Sequence, residues 1–326
     1  MNKYINIGIG KFKTKTLFIF LSIIIVCSIL LYLQNNYKIN EGFIENNKIN
    51  KTIWLLWFQG WENAPYLQKK VAESWELNNP TWTIQYLDMN NLKNYVTDID
   101  YIYDNNKDIS YAAKSDIIRL SLLKNHGGVW ADSTLLCMQP LDSWVEKAIE
   151  KSNFWMYHGD DIYGVWGDST INTEPLDSLV ENGHGHASWF IVSKQASYII
   201  SRWKEECDKY WKENNYTNNY FWMAGLFKKL FQTDEKFREE WKKTPYLNAE
   251  NDGSSHSLSQ DRLFSNNQDI KDIYTKKPPY VLKYWNHANE RLSKCQVEDE
   301  CLHSNGYYAL EMSKRQYTYD HFSNKA

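Results

Sequence analysis

Three polar residues near the middle of the chain have the types and spacing of a binding site. Asp116 and Arg119 stand three positions apart in a segment with helical periodicity, so they share one helical face. Asp132 follows in the stretch NHGGVWADSTLL, residues 125–136, where a double glycine ends the helix and a short apolar strand begins. Because open α/β sheets bind ligands outside the carboxyl ends of their strands, the three side chains are predicted to converge on one crevice.

Two interpretations of this stretch stay open at the level of the residues. Asp116 and Arg119 could form an ordinary surface ion pair, worth well under about 1 kcal/mol. Their position favours a binding role instead, because their helix leads through a tight turn into the strand that ends at Asp132. Many sugar-nucleotide enzymes carry two carboxylates at such a strand end, as Asp-x-Asp, whereas the second position here is Thr134. The stretch is therefore either a working site with one acid missing or only the end of a strand.

The elements that must position these residues follow an α/β pattern from residue 51 onward. Short apolar runs alternate with amphipathic segments, which is typical of strands alternating with helices. Strands are predicted at residues 53–58, 82–87, 129–131, 154–157 and 189–192. Helices are predicted at 66–77 behind Pro65, from the N-cap Ser110 to about 125, at about 195–212 and around 219–231. No internal repeat or second linker is visible, so residues 51–326 are predicted to form one domain.

The N-terminus predicts a membrane anchor. Residues 17–33 contain no charge and would span roughly 25 Å as a helix, close to the thickness of thin secretory membranes. Only basic charges precede this run, so residues 1–16 are predicted to be a cytosolic tail and the remainder to be lumenal. A cleaved signal peptide is the alternative, but no small-residue cleavage site follows. With residues 34–50 as a polar stem, the sequence predicts a single-pass type II membrane protein of the Golgi or ER.

Composition limits the remaining possibilities. A formal net charge of −3 gives no electrostatic footprint for nucleic acid. The 15 Trp and 23 Tyr residues are explained mainly by core packing, with some rings available to line a groove for sugars or bases. In a lumenal domain, disulfides could involve four cysteines whose pairing the sequence does not fix: Cys137, Cys207, Cys295 and Cys301.

The stretch SDIIRLSLLKNHGGVWADSTLLCMQPLDSW closely resembles the capsular polysaccharide synthesis protein family. This family is related to the DXD-containing sugar-binding enzymes, among them yeast α-1,6-mannosyltransferases and, more distantly, the large clostridial glucosylating toxins. The opening IWLLWFQGWENAPYLQKKVAESWELNNPTW is similar to the start of the family domain, and weaker similarity appears in NYFWMAGLF and VLKYWNH. The resemblance implies a GT-A-like α/β fold and a glycosyltransferase. Such an enzyme moves a hexose from a nucleotide sugar to a glycan, glycolipid or protein, with retention of configuration.

The resemblance also implies roles for individual residues. Trp57 resembles the aromatic residue that stacks on the nucleotide base, and Asp116 resembles the acid that hydrogen-bonds the ribose or sugar hydroxyls. Arg119 resembles the arginine that contacts the donor sugar. Asp132 resembles the first acid of the DXD, which touches both sugar and metal. Thr134 departs from DXD, although the capsular-synthesis relatives commonly read D-x-T here, so the departure leaves activity expected and strong metal binding in doubt.

The chemistry of the implied reaction asks for positive charge beside the leaving diphosphate. A divalent cation or basic protein groups can supply that charge. Mn²⁺ or Mg²⁺ is the expected cofactor, held by Asp132, the diphosphate and waters. His287, in the late segment KYWNHAN, is a candidate for completing the metal shell or for contacting a phosphate, and is equally well interpreted as a packing histidine.

Two alternatives come from other classes of protein. The missing second acid allows a catalytically inactive, membrane-anchored protein that binds sugars or sugar nucleotides. A metal-dependent hydrolase would instead be built on His158, Asp160, His184 and His186. Binding of a sugar nucleotide without turnover would select the first alternative. Tight zinc binding that survives Asp132→Ala but not His184→Ala would favour the second.

Overall fold

The computed structural model describes residues 4–7, 10–13, 26–28, 48–158, 186–247, 249, 265–284 and 304–322 of the 326-residue chain. The chain divides into two units, residues 1–48 and 49–326. In the first unit, β1 (Tyr4–Ile7) pairs antiparallel with β2 (Gly10–Lys13) inside the segment predicted as a cytosolic tail. Apart from residues 26–28, which are helical, the predicted anchor 17–33 lies outside the described residues. Within the described ranges, no helix combines the length and apolarity that a membrane crossing requires.

The second unit is an α/β structure whose elements run along the chain as follows. Its strands are β3 (Thr52–Leu56), β4 (Thr83–Leu87), β5 (Gly128–Ala131), β6 (Leu135–Cys137), β7 (Phe154–His158), β8 (His186–Ser193) and β9 (Val281–Lys283). Its α-helices are α1 (Tyr66–Asn78), α2 (Tyr111–His126), α3 (Val145–Ile149), α4 (Tyr198–Glu213), α5 (Trp222–Thr233), α6 (Glu235–Lys242), α7 (Gln268–Lys276) and α8 (Asn305–Met312).

Five strands form the central sheet, in the order β4-β3-β5-β8-β7. Strands β4, β3 and β5 are parallel, and β8 runs antiparallel between β5 and β7. In this register Ala131 lies opposite Phe190. The carboxyl ends of β3 and β5 and the amino end of β8 consequently meet at one edge of the sheet. That edge is followed directly by Trp57 and Asp132, the two strand-end residues predicted to bind the ligand.

The turn between α2 and β5 fixes where Asp132 can lie. Ser110 caps α2 by accepting a hydrogen bond from the Ala113 N–H, as predicted. At the other end Gly127 and Gly128 have φ of 69° and 96°, a region that L residues rarely adopt. A Cβ on Gly128 would lie 2.4 Å from the Thr52 carbonyl oxygen of β3. The double glycine therefore lets β5 enter the sheet directly against β3.

Both faces of the sheet are covered by apolar side chains, many of them aromatic. One cluster contains Trp75, Trp155 and Phe190, and the cluster on the other face contains Trp130 and Trp203. Packing thus accounts for most of the tryptophan and tyrosine content in the described part of the chain. The sheet edge, rather than either face, is left for a ligand.

The structure corrects several sequence predictions. The five strands and four helices predicted for the sheet are present, with ends shifted by a few residues, most of all at β8, which is longer than 189–192. Strands β6 and β9 and helices α3, α6, α7 and α8 are not among the sequence predictions. Cys137 and Cys207, two of the four cysteines that the sequence allows as disulfide partners, are free thiols buried in the core. Cys295 and Cys301 lie outside the described residues.

Candidate functional site

Arg119 joins the two acids that the sequence singles out. Its Nη1 lies 2.9 Å from Asp116 Oδ1 and its Nη2 lies 3.2 Å from Asp132 Oδ1. The arginine is 5% exposed, so this is a buried ion network and not the surface pair considered as the alternative. The structure thus brings Asp116, Arg119 and Asp132 into one site at the edge of the sheet.

The guanidinium is held by further contacts from three elements. Its Nη1 donates to Ser188 Oγ on β8 at 2.9 Å, and its Nη2 lies 3.4 Å from Ser115 Oγ on α2. The Trp130 ring of β5 lies 5.2 Å from the guanidinium carbon, within the range of a cation–π contact. Arg119 Nε is buried and has no hydrogen-bond partner among the described residues. The guanidinium is therefore fixed in place.

Asp132 is held at both carboxylate oxygens. Besides the contact with Arg119, its Oδ1 accepts a 2.9 Å hydrogen bond from Trp130 Nε1. Its backbone N–H donates to the Trp189 carbonyl oxygen of β8 at 2.9 Å. Its Oδ2 accepts a 2.7 Å hydrogen bond from Lys283 Nζ. The carboxylate orientation is consequently fixed by three donors on two different strands and one helix, namely β5, β9 and α2.

Lys283 is the residue that sequence reasoning missed. Its Nζ also donates to Thr134 Oγ1 at 2.8 Å, so the ammonium group bridges the two ends of the D-x-T triplet. Strand β9 reaches this place by pairing antiparallel with β6, with Lys283 opposite Leu135. The Tyr284 N–H then donates to the Thr134 carbonyl oxygen at 2.9 Å. The sequence signal for Lys283 is its place in VLKYWNH, the late segment with family resemblance. Within that segment the residue type favours the histidine, His287, as the predicted site residue.

The pKa values of the two acids of the site are shifted in opposite directions. Burial raises the pKa of Asp116 to about 6; Arg119 opposes this shift, and the Asp132 charge adds to it. Trp222 also acts on Asp116 as a weak donor, outside full hydrogen-bond geometry. For Asp132, burial alone would raise the pKa, but Lys283 and Arg119 outweigh it and hold the pKa below its usual value. Asp132 is therefore ionised at neutral pH, whereas the pKa of Asp116 is about 6.

The remaining residues predicted for the site are placed less closely together. Trp57 follows β3 at the same sheet edge, half-buried, with its backbone N–H donating to the Leu87 carbonyl oxygen at 3.0 Å. Its buried Nε1 has no hydrogen-bond partner in the described part of the chain. Thr134 lies at the site through its contact with Lys283. His287 lies outside the described residues, so its predicted role stays a prediction.

The histidines proposed for a hydrolase do not form a described metal site. His158 stacks on Trp241 with ring centroids 4.4 Å apart and lies 4.6 Å from the Tyr246 ring. Its ring therefore packs between aromatic residues. Asp160 and His184 lie outside the described residues. Within the described ranges, no group of three His, Cys, Asp or Glu side chains is arranged to hold a metal ion.

The donor set around Asp132 does not fit a divalent cation. Mn²⁺ and Mg²⁺ need oxygen ligands, and carboxylates supply them best. Both Asp132 oxygens and the Thr134 hydroxyl already accept hydrogen bonds from cationic or neutral N–H donors. A divalent cation in contact with the D-x-T triplet would also be repelled by the ammonium and guanidinium groups. The protein groups present provide positive charge at this point and do not provide a metal shell.

Comparison with known proteins agrees with the resemblance seen in the sequence. Residues 31–294 match the family described as capsular polysaccharide synthesis protein. The chain belongs to this family. The matched segment includes the site residues Asp116, Arg119, Asp132, Thr134 and Lys283.

Similar proteins carry glycosyltransferase names. Glycosyltransferase afumC of Aspergillus fumigatus is 26% identical over 166 residues, which cover 48% of this chain and 39% of that protein. O-glycosyltransferase braB of Annulohypoxylon truncatum is 25% identical over 173 residues, 50% of this chain and 38% of that protein. The chain thus spans about two fifths of these relatives. PaToxG Glycosyltransferase, a solved structure, aligns with 88% of this chain and 98% of its own at 11% identity and a TM-score of 0.34, too distant for comparing individual residues.

Proposed function

We propose that this family member is a glycosyltransferase that moves a hexose from a nucleotide sugar to a hydroxyl group of a glycan, glycolipid or protein. One observation carries the proposal: Arg119 joins Asp116 and Asp132 at the sheet edge where α/β folds bind their ligands. Burying an arginine with two acids costs desolvation free energy that the ion pairs often do not recover, so stability alone does not explain this network. The family and the names of the similar proteins support the same reaction class.

In this proposal each site residue contacts a different part of the donor. Asp116 and Asp132 accept hydrogen bonds from hydroxyl groups of the sugar or ribose. Arg119 holds both acids in place. Trp57, half-buried and one strand away at the same edge, stacks on the nucleobase.

The reaction breaks the bond between the anomeric carbon and the diphosphate oxygen, and the electron pair leaves with the nucleoside diphosphate. The acceptor hydroxyl oxygen forms the new bond on the same face of the sugar, which retains the configuration. Its proton passes to the departing diphosphate. Positive charge develops on the sugar and negative charge on the diphosphate, so fixed charges on both sides lower the barrier. The carboxylates of Asp116 and Asp132 stabilise the positive charge on the sugar.

The proposal includes a place in the cell. The uncharged run 17–33 would anchor the chain in a Golgi or ER membrane with the catalytic domain on the lumenal side. Protease protection of the full-length chain in sealed microsomes tests this point. Digestion of residues 49–326 in intact vesicles would contradict the lumenal placement.

A donor screen tests the activity. The full chain is incubated with a panel of nucleotide sugars, and binding and release of nucleoside diphosphate are measured. At least one donor is expected to bind and to be hydrolysed slowly, and Asp132→Asn should lower turnover by a factor of about 100 or more through loss of transition-state charge stabilisation. Asp272→Asn, on the exposed face of α7, is the matched control and should turn over normally.

The outcomes separate the candidate functions. Binding of a donor without turnover in any acceptor mixture would select the inactive sugar-binding protein. No binding to any donor would reject both. Wild-type turnover in Asp132→Asn would remove Asp132 from the mechanism while leaving the enzyme class intact.

A further inference from the structure

We infer that Lys283 contacts the diphosphate of the donor and supplies the positive charge that a divalent cation supplies at an Asp-x-Asp site. The inference rests on the proposed function and specifies how its leaving group is stabilised. It replaces the Mn²⁺ or Mg²⁺ expected from the sequence with a residue of the chain itself. The substrate class is a nucleoside diphosphate sugar, bound and cleaved without a bound metal ion.

The position of the ammonium group is the first argument. Lys283 Nζ lies 2.7 Å from Asp132 Oδ2 and 2.8 Å from Thr134 Oγ1. These are the two side chains at the positions that hold the cation in an Asp-x-Asp triplet. An ammonium group has three N–H donors, and two of them are used by these contacts. The third is left for a phosphate oxygen of the donor.

The fit of Thr134 to a lysine is the second argument. A second aspartate at this position would balance the two charges of a divalent cation, whereas a lysine carries one charge and needs one. Asp132 provides that charge, and the neutral hydroxyl of Thr134 completes the coordination as an acceptor. The departure from Asp-x-Asp and the presence of Lys283 thus compensate each other.

The charge balance of the whole site is the third argument. Asp116 and Asp132 offset Arg119 and Lys283, so the site is close to neutral before the donor binds. A divalent cation would add two positive charges beside two existing ones. A diphosphate instead brings negative charge that the third N–H of Lys283 can partner.

Rigid placement is the fourth argument. The Lys283 side chain is 12% exposed, which removes most of the competing water. Its strand β9 pairs with β6, and the neighbouring Tyr284 N–H is bonded to the Thr134 carbonyl oxygen. A charge held in advance at the point where negative charge develops needs no rearrangement during the reaction. When the C1–O bond breaks, Lys283 keeps its proton and donates a hydrogen bond to the diphosphate oxygen that receives the electron pair.

The first experiment measures binding of uridine and guanosine diphosphates to the full chain by calorimetry, once in EDTA and once in Mn²⁺. The affinity of the better ligand is expected to agree within roughly 3-fold between the two conditions. Turnover of the matching nucleotide sugar should likewise survive EDTA. A loss of binding and turnover in EDTA that Mn²⁺ reverses would overturn the inference while leaving the proposed glycosyltransferase standing.

The second experiment replaces the lysine. Lys283→Met keeps the length of the side chain and removes its charge, and should weaken diphosphate binding by roughly 10- to 100-fold, the value of a charge-assisted hydrogen bond. Lys283→Arg should recover part of the affinity, which a merely structural loss would not. Lys276→Met, in the exposed pair with Asp272 on α7, is the matched control and should bind like the wild type.

The variants keep the inference falsifiable even if folding suffers. Melting curves and circular dichroism identify a misfolded Lys283→Met, in which case the EDTA comparison on the wild type decides alone. Unchanged diphosphate affinity in a folded Lys283→Met would overturn the inference. If the wild type binds neither these two nor any other nucleoside diphosphate of the donor panel under either condition, the proposed function fails first, and Lys283 has no leaving group to stabilise.

Discussion

Lys283 and Asp132 are 151 residues apart in the chain, yet Lys283 Nζ and Asp132 Oδ2 lie 2.7 Å apart. The contact joins the strand end that carries the D-x-T triplet to the short ribbon formed by β6 and β9. Removing the chain from residue 265 onward would therefore remove a charged group from the site as well as two helices. The C-terminal segment that carries Lys283 therefore belongs to the site, although it lies far from the D-x-T triplet along the chain.

Arg119→Lys is expected to abolish activity and to destabilise the fold. A guanidinium reaches Asp116 and Asp132 with two different nitrogens, whereas an ammonium is a single point that cannot hold both acids. One buried carboxylate would lose its partner, at a cost of roughly 3 kcal/mol. Denaturant unfolding measures this loss, and donor turnover measures the activity.

Arg202→Lys is the control for that variant. Arg202 pairs with Asp234 but is 32% exposed, so water can replace the lost contacts. Its free energy of unfolding should change by less than about 1 kcal/mol. Equal losses of unfolding free energy in the two variants would show that the Arg119 ion network stabilises the fold no more than an exposed ion pair does.

Asp116→Asn is expected to stabilise the protein at neutral pH and to have little effect at acidic pH. Burial raises the pKa of Asp116 to about 6, above the ordinary value of 3.8. A raised carboxyl pKa favours the protonated form in the folded state, so its contribution to stability is complete below pH 4 and is lost as the pH rises through about 6. By linkage, this loss amounts to roughly 3 kcal/mol at pH 7.

Melting temperatures of wild type and Asp116→Asn between pH 4.5 and 7.5 check this prediction. The difference in favour of the variant should grow with pH and level off above pH 7. Asparagine does not titrate, so the growth isolates the carboxyl group. A constant difference across this range would mean that Asp116 keeps an ordinary pKa in the folded protein.

Gly128→Ala is expected to be strongly destabilising. The residue has φ of 96°, and a Cβ would lie 2.4 Å from the Thr52 carbonyl oxygen, which is backbone and cannot turn aside. Strand β5 would have to separate from β3, and Asp132 would move with it. The expected loss is above about 2 kcal/mol, from strain combined with a disturbed strand pairing.

Gly225→Ala is the matched control for that substitution. Gly225 lies inside α5, and a Cβ there meets no atom within 4 Å. Helix propensity then predicts a gain of roughly 0.5–1 kcal/mol. Thermal unfolding of both variants should give shifts of opposite sign, and a mild effect of Gly128→Ala would contradict the close approach of β5 and β3.

The sequence predicted the parts of this structure that local patterns determine. The helix from Ser110 to the double glycine followed from a cap, a periodicity and a stop signal, and the structure confirms it. The meeting of Asp116, Arg119 and Asp132 followed from their position at a strand end. Their chemical roles stay predictions.

The sequence could not predict the parts that depend on distant contacts. Strand β9 has three residues, and a run of that length carries no usable periodicity. Its strand character comes from pairing with β6, more than 140 residues earlier along the chain. The sequence therefore gives no sign that Lys283 reaches the site, and it favours the nearby His287 by residue type alone. A lysine looks like an ordinary surface residue until its strand partner is known.

Converting the D-x-T triplet into a metal site is the last prediction. In the double variant Thr134→Asp with Lys283→Ser, the ammonium group is removed and a second carboxylate is added beside Asp132. Two carboxylates and a hydroxyl group then face the space that the Lys283 ammonium group occupied. Hard divalent cations prefer this kind of oxygen set. Calorimetry without nucleotide should show Mn²⁺ binding by the double variant and none by the wild type. Thr134→Asp alone should bind Mn²⁺ weakly or not at all, because Lys283 would pair with the new acid. Equal Mn²⁺ binding by wild type and double variant would show that Lys283 does not take the place of a cation.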